Sequence, residues 1–202
     1  MKRTLRMVDK FNIDLNSPFE DTCPHYKEIT SLPYAEGYRS ALAGETFGFI
    51  NGCFDPLHVG HIWLLNKART YCDHLWVGMN SDYYIRNNKS KPNGEAFIPQ
   101  MGRVYSLLSL EAVTGVHVFN SNNCGSVIST LKPDVYIRSK EYQKYVEVEC
   151  PTASYAANNM SEENWAASNV GAHTEYVDML PGYSSTSLLE KLSQSDKLDD
   201  IL

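Results

Sequence analysis

The chain has no run of apolar residues approaching the roughly 20 that cross a bilayer, and it has no excess of positive charge. Its 202 residues carry a net charge of −6, which argues against a general affinity for nucleic acid. The first six residues are basic but are not followed by the apolar core of a signal peptide. These absences predict a cytoplasmic protein with no membrane or nucleic-acid partner, in which any phosphate must bind at a local basic pocket.

Cysteine is also sparse. The five cysteines, at positions 23, 53, 72, 124 and 150, form an odd number without paired spacing. This usage suits reduced thiols better than a disulfide framework, so we expect no disulfides.

The composition is that of an ordinary folded domain, with 43% hydrophobic and 21% charged residues, and the length suffices for one core. Residues 1–45 contain Pro18, Pro24 and Pro33 among polar residues. They predict an N-terminal extension wrapped on the domain, for which packing or a dimer contact is the favoured role. The domain itself is predicted at 46–202, with a weak helix signal before it at 34–43.

Apolar strand patterns alternate with helical spacing along the domain. This alternation predicts an α/β fold of the Rossmann-like, doubly wound type: five parallel strands with helices on both faces. An irregular stretch at about 143–173 is predicted to be an insertion that lines a pocket, forms a lid or serves an interface. The predicted strands are 47–50, 75–79, 116–119, 135–137 and 175–179, and the predicted helices are 60–71, 103–113, 126–131 and 185–192.

The most informative motif is Asn-Gly-Cys-Phe-Asp-Pro-Leu-His-Val-Gly-His at positions 51–61. It lies where the first strand turns into the first helix of the domain. Free N–H groups and the positive end of the helix dipole gather at such a turn, and Gly52 and Gly60 let backbone approach a phosphate. The motif therefore predicts an anion site.

His58 and His61 are three residues apart and share one side of the first helical turn, so both rings can donate to one phosphate. Two other interpretations remain open. Asp55 could simply cap the helix beside two incidental histidines, or Cys53 could join the histidines in half of a zinc site, although no second ligand pair follows at a finger-like spacing.

The motif resembles the HxGH signature of the nucleotidyltransferase superfamily that includes the cytidylyltransferases. The sequence is most similar to the adenylyltransferase domain of ADP-heptose synthases, with the glycerol-3-phosphate cytidylyltransferases next. Further matching stretches lie at 77–82, 103, 131–134 and 183–186. The resemblance implies that the nucleotide is bound by the motif residues Asn51, Gly52, Cys53, Phe54, Asp55 and Gly60.

Other site residues follow from the same resemblance. Lys89, in a polar loop with Arg86 and Lys91, matches a basic residue that meets phosphate, and Arg103 matches an arginine that contacts substrate phosphate. With His58 and His61, these two are the expected catalytic residues. A solvated charged loop is the plain alternative for Lys89.

Two stretches complete the expected nucleotide site. Arg138 matches the basic position of a Lys-Gly-Gly-Asp-Tyr-like sequence, although Ser139 and Lys140 replace its glycines. Ser184, Ser185 and Thr186 resemble the Ser-Thr-Thr element that holds the β- and γ-phosphates. Helix capping is the alternative for these hydroxyls.

The resemblance implies transfer of a nucleoside monophosphate, AMP from ATP, onto a sugar 1-phosphate such as a heptose 1-phosphate, with Mg²⁺ accompanying the triphosphate. CTP with glycerol 3-phosphate or another polyol phosphate is the alternative reaction. A nucleotide-binding module without turnover is the alternative from another class. A homodimer is expected by analogy with relatives only.

Overall fold

The structure is a computed structural model that describes residues 30–89, 94–145 and 162–183. Its centre is one five-stranded sheet in the order β3-β2-β1-β4-β5, in which every neighbouring pair is parallel. This confirms the predicted α/β fold with five parallel strands. The strands are β1 Phe47–Gly52, β2 His74–Asn80, β3 Gly115–Phe119, β4 Val135–Ser139 and β5 His173–Val177.

Helices connect the strands. Because right-handed crossovers run outward from β1 to β3 and then in the other direction from β4 to β5, they place helices on opposite faces of the sheet. The helices are α1 Leu32–Ser40, α2 Val59–Arg69, α3 Asp82–Asn88, α4 Gln100–Ser109, α5 Gly125–Leu131 and α6 Glu162–Asn169, with a 3₁₀ helix at Lys140–Tyr145.

The sheet is covered on both faces, as parallel sheets require. All seven positions of β2 are buried, and so are the first four of β1. Phe47, Phe49 and Trp76 are fully enclosed. The apolar strand patterns that predicted the fold therefore correspond to its core.

Several element boundaries differ from the sequence prediction. Residues 82–88 were expected in a loop, but they form α3, because the Ser81 side chain caps the helix by accepting from the Tyr84 N–H at 3.1 Å. β5 begins at His173, two residues before its predicted start. The predicted helix at 185–192 lies outside the described residues.

Helix α1 packs against β3 and α5 and places Ala35 in the core. The Tyr38 hydroxyl lies 2.9 Å from His74 Nδ1, and His74 Nε2 lies 2.8 Å from a Glu45 carboxylate oxygen. Residues 32–45 are thus joined to the sheet by apolar and polar contacts. The predicted domain boundary at residue 45 stays a prediction.

Part of the predicted insertion is regular structure. Helix α6 lies within 143–173 and packs on α5 and β5. In the described part of the chain, no helix is both long and apolar enough to cross a membrane.

Gly78 lies in β2 where there is no room for a side chain. A Cβ there would stand 2.5 Å from Phe49 Cζ, so we expect Gly78→Ala to lower the free energy of unfolding by roughly 1–3 kcal/mol through overpacking. Chemical denaturation measures the loss.

Gly37→Ala is the matched control. Gly37 lies inside helix α1 with open space around its Cα, so alanine should raise stability by roughly 0.5–1 kcal/mol. Equal changes in the free energy of unfolding for the two substitutions would show that Gly78 is not tightly packed in β2.

Candidate active site

A cavity of about 490 Å³ opens at the carboxyl ends of the strands. Its wall includes residues 50–55, which end β1, and residues 137–139, which end β4. β1 and β4 are the neighbours between which the strand order reverses. Ligands of open parallel sheets bind at this switch point, so the cavity is the candidate active site.

The two histidines begin helix α2 beside this cavity. His58 is the N-cap, and its Nδ1 accepts from the Gly60 N–H at 3.1 Å. In the neutral ring the hydrogen must therefore sit on Nε2. The His58 and His61 rings stack with their centroids 3.8 Å apart, which brings the two predicted catalytic imidazoles together.

His61 lines the cavity. Burial, and then the neighbouring His58, lower its pKa to about 4, while the Pro56 backbone acts in the opposite direction. Burial also lowers the pKa of His58. Among the residues that the structure describes, His61 Nδ1 is buried and has no hydrogen-bond partner. At neutral pH the site thus presents uncharged imidazoles, whose pKa values an anionic ligand would raise.

Gly60 allows two chain segments to meet at the helix start. A Cβ on Gly60 would lie 2.8 Å from the Tyr183 carbonyl oxygen and 2.9 Å from His58 Cε1. The backbone at Tyr183 therefore lies directly against the histidine turn. Ser184, Ser185 and Thr186 lie outside the described residues, and their role stays a prediction.

Asp55 holds a neighbouring loop in place. Its two carboxylate oxygens accept from the Phe97 and Ile98 N–H groups at 3.1 and 2.9 Å, and the residue is only 3% exposed. The carboxylate also lines the cavity. These hydrogen bonds serve the fold, and the contact of Asp55 with nucleotide stays a prediction.

Four further motif residues also line the cavity: Asn51, Gly52, Cys53 and Phe54. Asn51 Oδ1 accepts from the Tyr136 hydroxyl at 2.8 Å. Cys53 donates to Asn80 Oδ1 at 3.4 Å. The Phe54 ring packs edge-on against His61, with centroids 5.1 Å apart. Residues 51–54 thus lie where they were predicted, and their contact with nucleotide stays a prediction.

Arg103 occupies a different position from the other predicted residues. It is 1% exposed and does not line the cavity described above. Its Nη1 donates to the carbonyls of Cys53 and Asn80, both at 2.7 Å, and its Nη2 donates to an Asp82 carboxylate oxygen at 2.6 Å.

A further bond runs from Arg103 Nε to the Ile98 carbonyl at 3.0 Å. The guanidinium therefore joins the end of β1, the end of β2 and the loop before α4. These four bonds use four of the five guanidinium N–H groups, and the direct phosphate contact that the family resemblance implied stays a prediction.

Lys89 and Arg138 both line the cavity, and their contact with phosphate and nucleotide stays a prediction. Lys89 is exposed, and its ammonium lies 5.9 Å from the Tyr84 ring centroid. The Arg138 guanidinium lies 4.8 Å from the Tyr142 ring centroid and donates to Asn164 Oδ1 at 2.8 Å. These two cations and His61 line one space, and His58 stacks on His61 beside it.

Sequence reasoning missed several residues of the wall. Asn122 and Asn123 follow β3, and their position after a strand end could have indicated them. Glu163 comes from helix α6, for which the sequence offered no signal. The missed residues are Tyr84, Asn122, Asn123, Glu141, Tyr142 and Glu163.

A metal cage is not formed by residues 30–89, 94–145 and 162–183, where no group of three or more His, Cys, Asp or Glu side chains is placed to hold an ion. Cys53, His58 and His61 therefore do not come together there as a three-ligand group. Cys53, Cys72 and Cys124 are free thiols.

The sheet order and the paired histidines at its switch point define an α/β protein of the HxGH nucleotidyltransferase class. Residues 49–190 match the cytidylyltransferase-like family. The chain belongs to this family.

Two proteins with similar sequences are much longer than this chain. The bifunctional protein HldE of Rhodopseudomonas palustris is 34% identical over 171 residues, which are 85% of this chain and 29% of that protein. The bifunctional protein HldE of Nitratiruptor is 29% identical over 190 residues, 94% of this chain and 36% of that protein. The chain thus spans about a third of the length of these relatives.

A solved structure shares the fold at lower identity. Pantoate-beta-alanine ligase from Francisella tularensis, complexed with beta-gamma ATP and beta-alanine, superposes with a TM-score of 0.52 at 15% identity. The match covers 82% of this chain and 73% of the ligase.

Acid should destabilise the protein through His61. An unfolded histidine has a pKa near 6.5 and the folded His61 about 4, so the unfolded state binds more protons between these values. The contribution of His61 to the free energy of unfolding is complete above about pH 6.5 and is lost as the pH falls toward 4. It amounts to at most about 3 kcal/mol. Denaturation from pH 7 to 4 should show a smaller acid loss in His61→Asn, and parallel pH curves would refute this.

Arg103→Lys tests the role of the buried guanidinium. Lysine cannot reproduce the four hydrogen bonds, so we expect a loss of roughly 2–4 kcal/mol in unfolding free energy, measured by urea denaturation. Arg86→Lys, on the exposed face of α3, should change stability little. A fully stable Arg103→Lys protein that is impaired only in nucleotide affinity would instead favour direct phosphate contact.

Proposed function

We propose that the protein transfers AMP from ATP onto a sugar 1-phosphate, such as a heptose 1-phosphate, and releases pyrophosphate. The observation that carries this proposal is the stacked pair His58 and His61 at the start of helix α2, beside the switch-point cavity. Family membership supports the reaction class.

The chemistry asks for alignment and positive charge. A phosphate oxygen of the acceptor attacks the α-phosphorus in line, a new P–O bond forms, and the bond to the pyrophosphate leaving group breaks. The acceptor is already an anionic nucleophile, so neither a general base nor a covalent intermediate is needed. Binding both substrates in one cavity supplies the orientation.

The chain's own residues would stabilise the charge that develops. The His58 ring, with its hydrogen on Nε2, and the buried His61 ring would donate hydrogen bonds to phosphate oxygens. Lys89 and Arg138 add positive charge to the wall. Asp55 and Arg103 would act through the backbone they hold, by keeping the strand ends and the loop at 97–98 in position.

Mg²⁺ fits this site as an ion that arrives with the triphosphate. The described residues offer no dedicated cage, and both Asp55 oxygens already accept backbone hydrogen bonds. Magnesium is commonly held by substrate phosphates and one or two carboxylates, and Asp55 is a candidate on the protein side. The ion would neutralise the triphosphate and assist departure of pyrophosphate.

Support for ATP and a sugar 1-phosphate comes from the resemblance to the adenylyltransferase domain of ADP-heptose synthases. The HldE proteins are similar to this chain only over about a third of their length. Their likeness therefore supports the transferase step alone. Reduced thiols support a cytoplasmic location, and a homodimer remains an expectation by analogy.

A second reaction, from CTP to glycerol 3-phosphate or another polyol phosphate, is favoured by one observation. The family that matches residues 49–190 is described as cytidylyltransferase-like. The two reactions need the same phosphate site and differ in base and acceptor.

Pyrophosphate release with Mg²⁺ tests the proposal. ATP and CTP are supplied separately with heptose and hexose 1-phosphates and with glycerol 3-phosphate. We expect a signal with ATP and a sugar 1-phosphate, and a signal with CTP and the polyol phosphate would select the second reaction.

His61→Ala should retain the fold and lose pyrophosphate release by roughly two to three orders of magnitude, because it removes a donor for charge in the transition state. The exposed His173→Ala, on β5, is the control. Full activity in His61→Ala would sink the proposal. Nucleotide binding without turnover on any acceptor would instead indicate a binding module.

A further inference from the structure

Helix α6 brings an unneutralised carboxylate into the cavity. Glu163 is half-buried and lines the cavity wall. Within the described part of the chain it has no hydrogen-bond or ion-pair partner. A carboxylate repels the phosphates that this cavity must accept. Its presence on the wall therefore indicates that another part of a ligand uses it.

The carboxylate acts on groups from several elements around the cavity. The pKa of Tyr84, on α3, is raised by burial first, then by Cys53 and then by Glu163. Glu163 is also among the groups that raise the pKa of the buried Tyr136 hydroxyl, after burial and Cys124, while Arg138 acts in the opposite direction. Glu163 thus lies near groups from α3 and β4, in agreement with its place on the cavity wall.

The next residue of α6 is a hydrogen-bond partner of Arg138. Asn164 is buried, accepts from Arg138 Nη1 at 2.8 Å and donates to the Tyr176 hydroxyl at 3.1 Å. These two bonds hold Arg138 toward α6 and β5. Arg138 thus hydrogen-bonds to Asn164, and Glu163 lines the same cavity from the preceding position of α6.

A carboxylate only accepts hydrogen bonds, and it can accept two at once. Among the groups of a nucleotide and a sugar phosphate, neighbouring sugar hydroxyls match that pattern, whereas the phosphates carry the same charge as Glu163. We propose that Glu163 recognises sugar hydroxyl groups in the cavity and determines which sugar is accepted there. This inference rests on the proposed function for its choice of ligands.

Two sugars could provide the hydroxyls: the ribose of the nucleotide and the sugar of the acceptor. Calorimetric binding separates them. The probes are ATP against 2′-deoxy-ATP and 3′-deoxy-ATP, and glucose 1-phosphate against its 2-, 3-, 4- and 6-deoxy forms, each with the wild-type protein and with Glu163→Ala. The exposed Glu111→Ala, after helix α4, is the matched control.

Removal of the recognised hydroxyl should weaken wild-type binding about 10- to 100-fold, because a hydrogen bond to a charged group is lost. The same removal should change the affinity of Glu163→Ala less than about 2-fold. The Glu111→Ala protein should behave as the wild type. We call it a coupling when a deoxy analogue loses affinity for the wild type but not for Glu163→Ala. A coupling with the ribose analogues assigns Glu163 to the nucleotide. A coupling with the glucose 1-phosphate analogues assigns it to the acceptor.

Equal losses in wild type and Glu163→Ala for every deoxy analogue would overturn the proposal. So would a coupling to the adenine amino group, seen as an effect of Glu163→Ala that disappears when inosine triphosphate replaces ATP. Glu163→Gln keeps the side-chain shape and should show a weaker coupling of the same direction, which covers the case of an unstable alanine variant.

These measurements do not depend on turnover. A protein that binds with the predicted coupling but releases no pyrophosphate would refute the proposed function and leave the role of Glu163 standing. An active protein without coupling would do the reverse.

Discussion

The buried Arg103 guanidinium is the interaction on which the site depends. Parallel strands end in carbonyl groups that no further strand can satisfy. At the ends of β1 and β2, the Arg103 guanidinium satisfies two of them by donating to the carbonyls of Cys53 and Asn80. The Asp82 carboxylate balances its charge. Because Asp55 secures the loop at 97–98 and Arg103 bonds to the same loop, the two charged side chains fix one piece of backbone from both sides.

This arrangement separates two kinds of charge at the carboxyl edge of the sheet. Charges enclosed in the protein are paired, as burial demands, and they shape the backbone. Other charged side chains line the cavity in addition to Asp55, namely Lys89, Arg138, Glu141 and Glu163, and a ligand in the cavity would meet these. His58 and His61 differ from both kinds of charge, because they are partly enclosed and can stay uncharged until an anion binds.

The sequence was sufficient for the fold because strand alternation and the turn at 51–61 are local signals. Apolar runs predicted five parallel strands, and the spacing of His58 and His61 predicted their pairing. The position of Arg103 was not predictable in this way. A lone arginine in an apolar helix has the same pattern whether it binds phosphate or strand carbonyls, and only the tertiary structure distinguishes them. Glu163 was missed because α6 reaches the cavity through packing on α5 and β5, a long-range contact.

The contact between Gly60 and Tyr183 joins positions 123 residues apart (183 − 60). One wall of the site is thus made early in the chain and the other near the end of the described part, so neither exists without the sheet between them. A ligand held there would bind the folded domain and not the unfolded chain. Its binding energy would therefore be added to the global free energy of unfolding and not to that of one loop, which makes occupancy of the site a measure of the integrity of the entire fold.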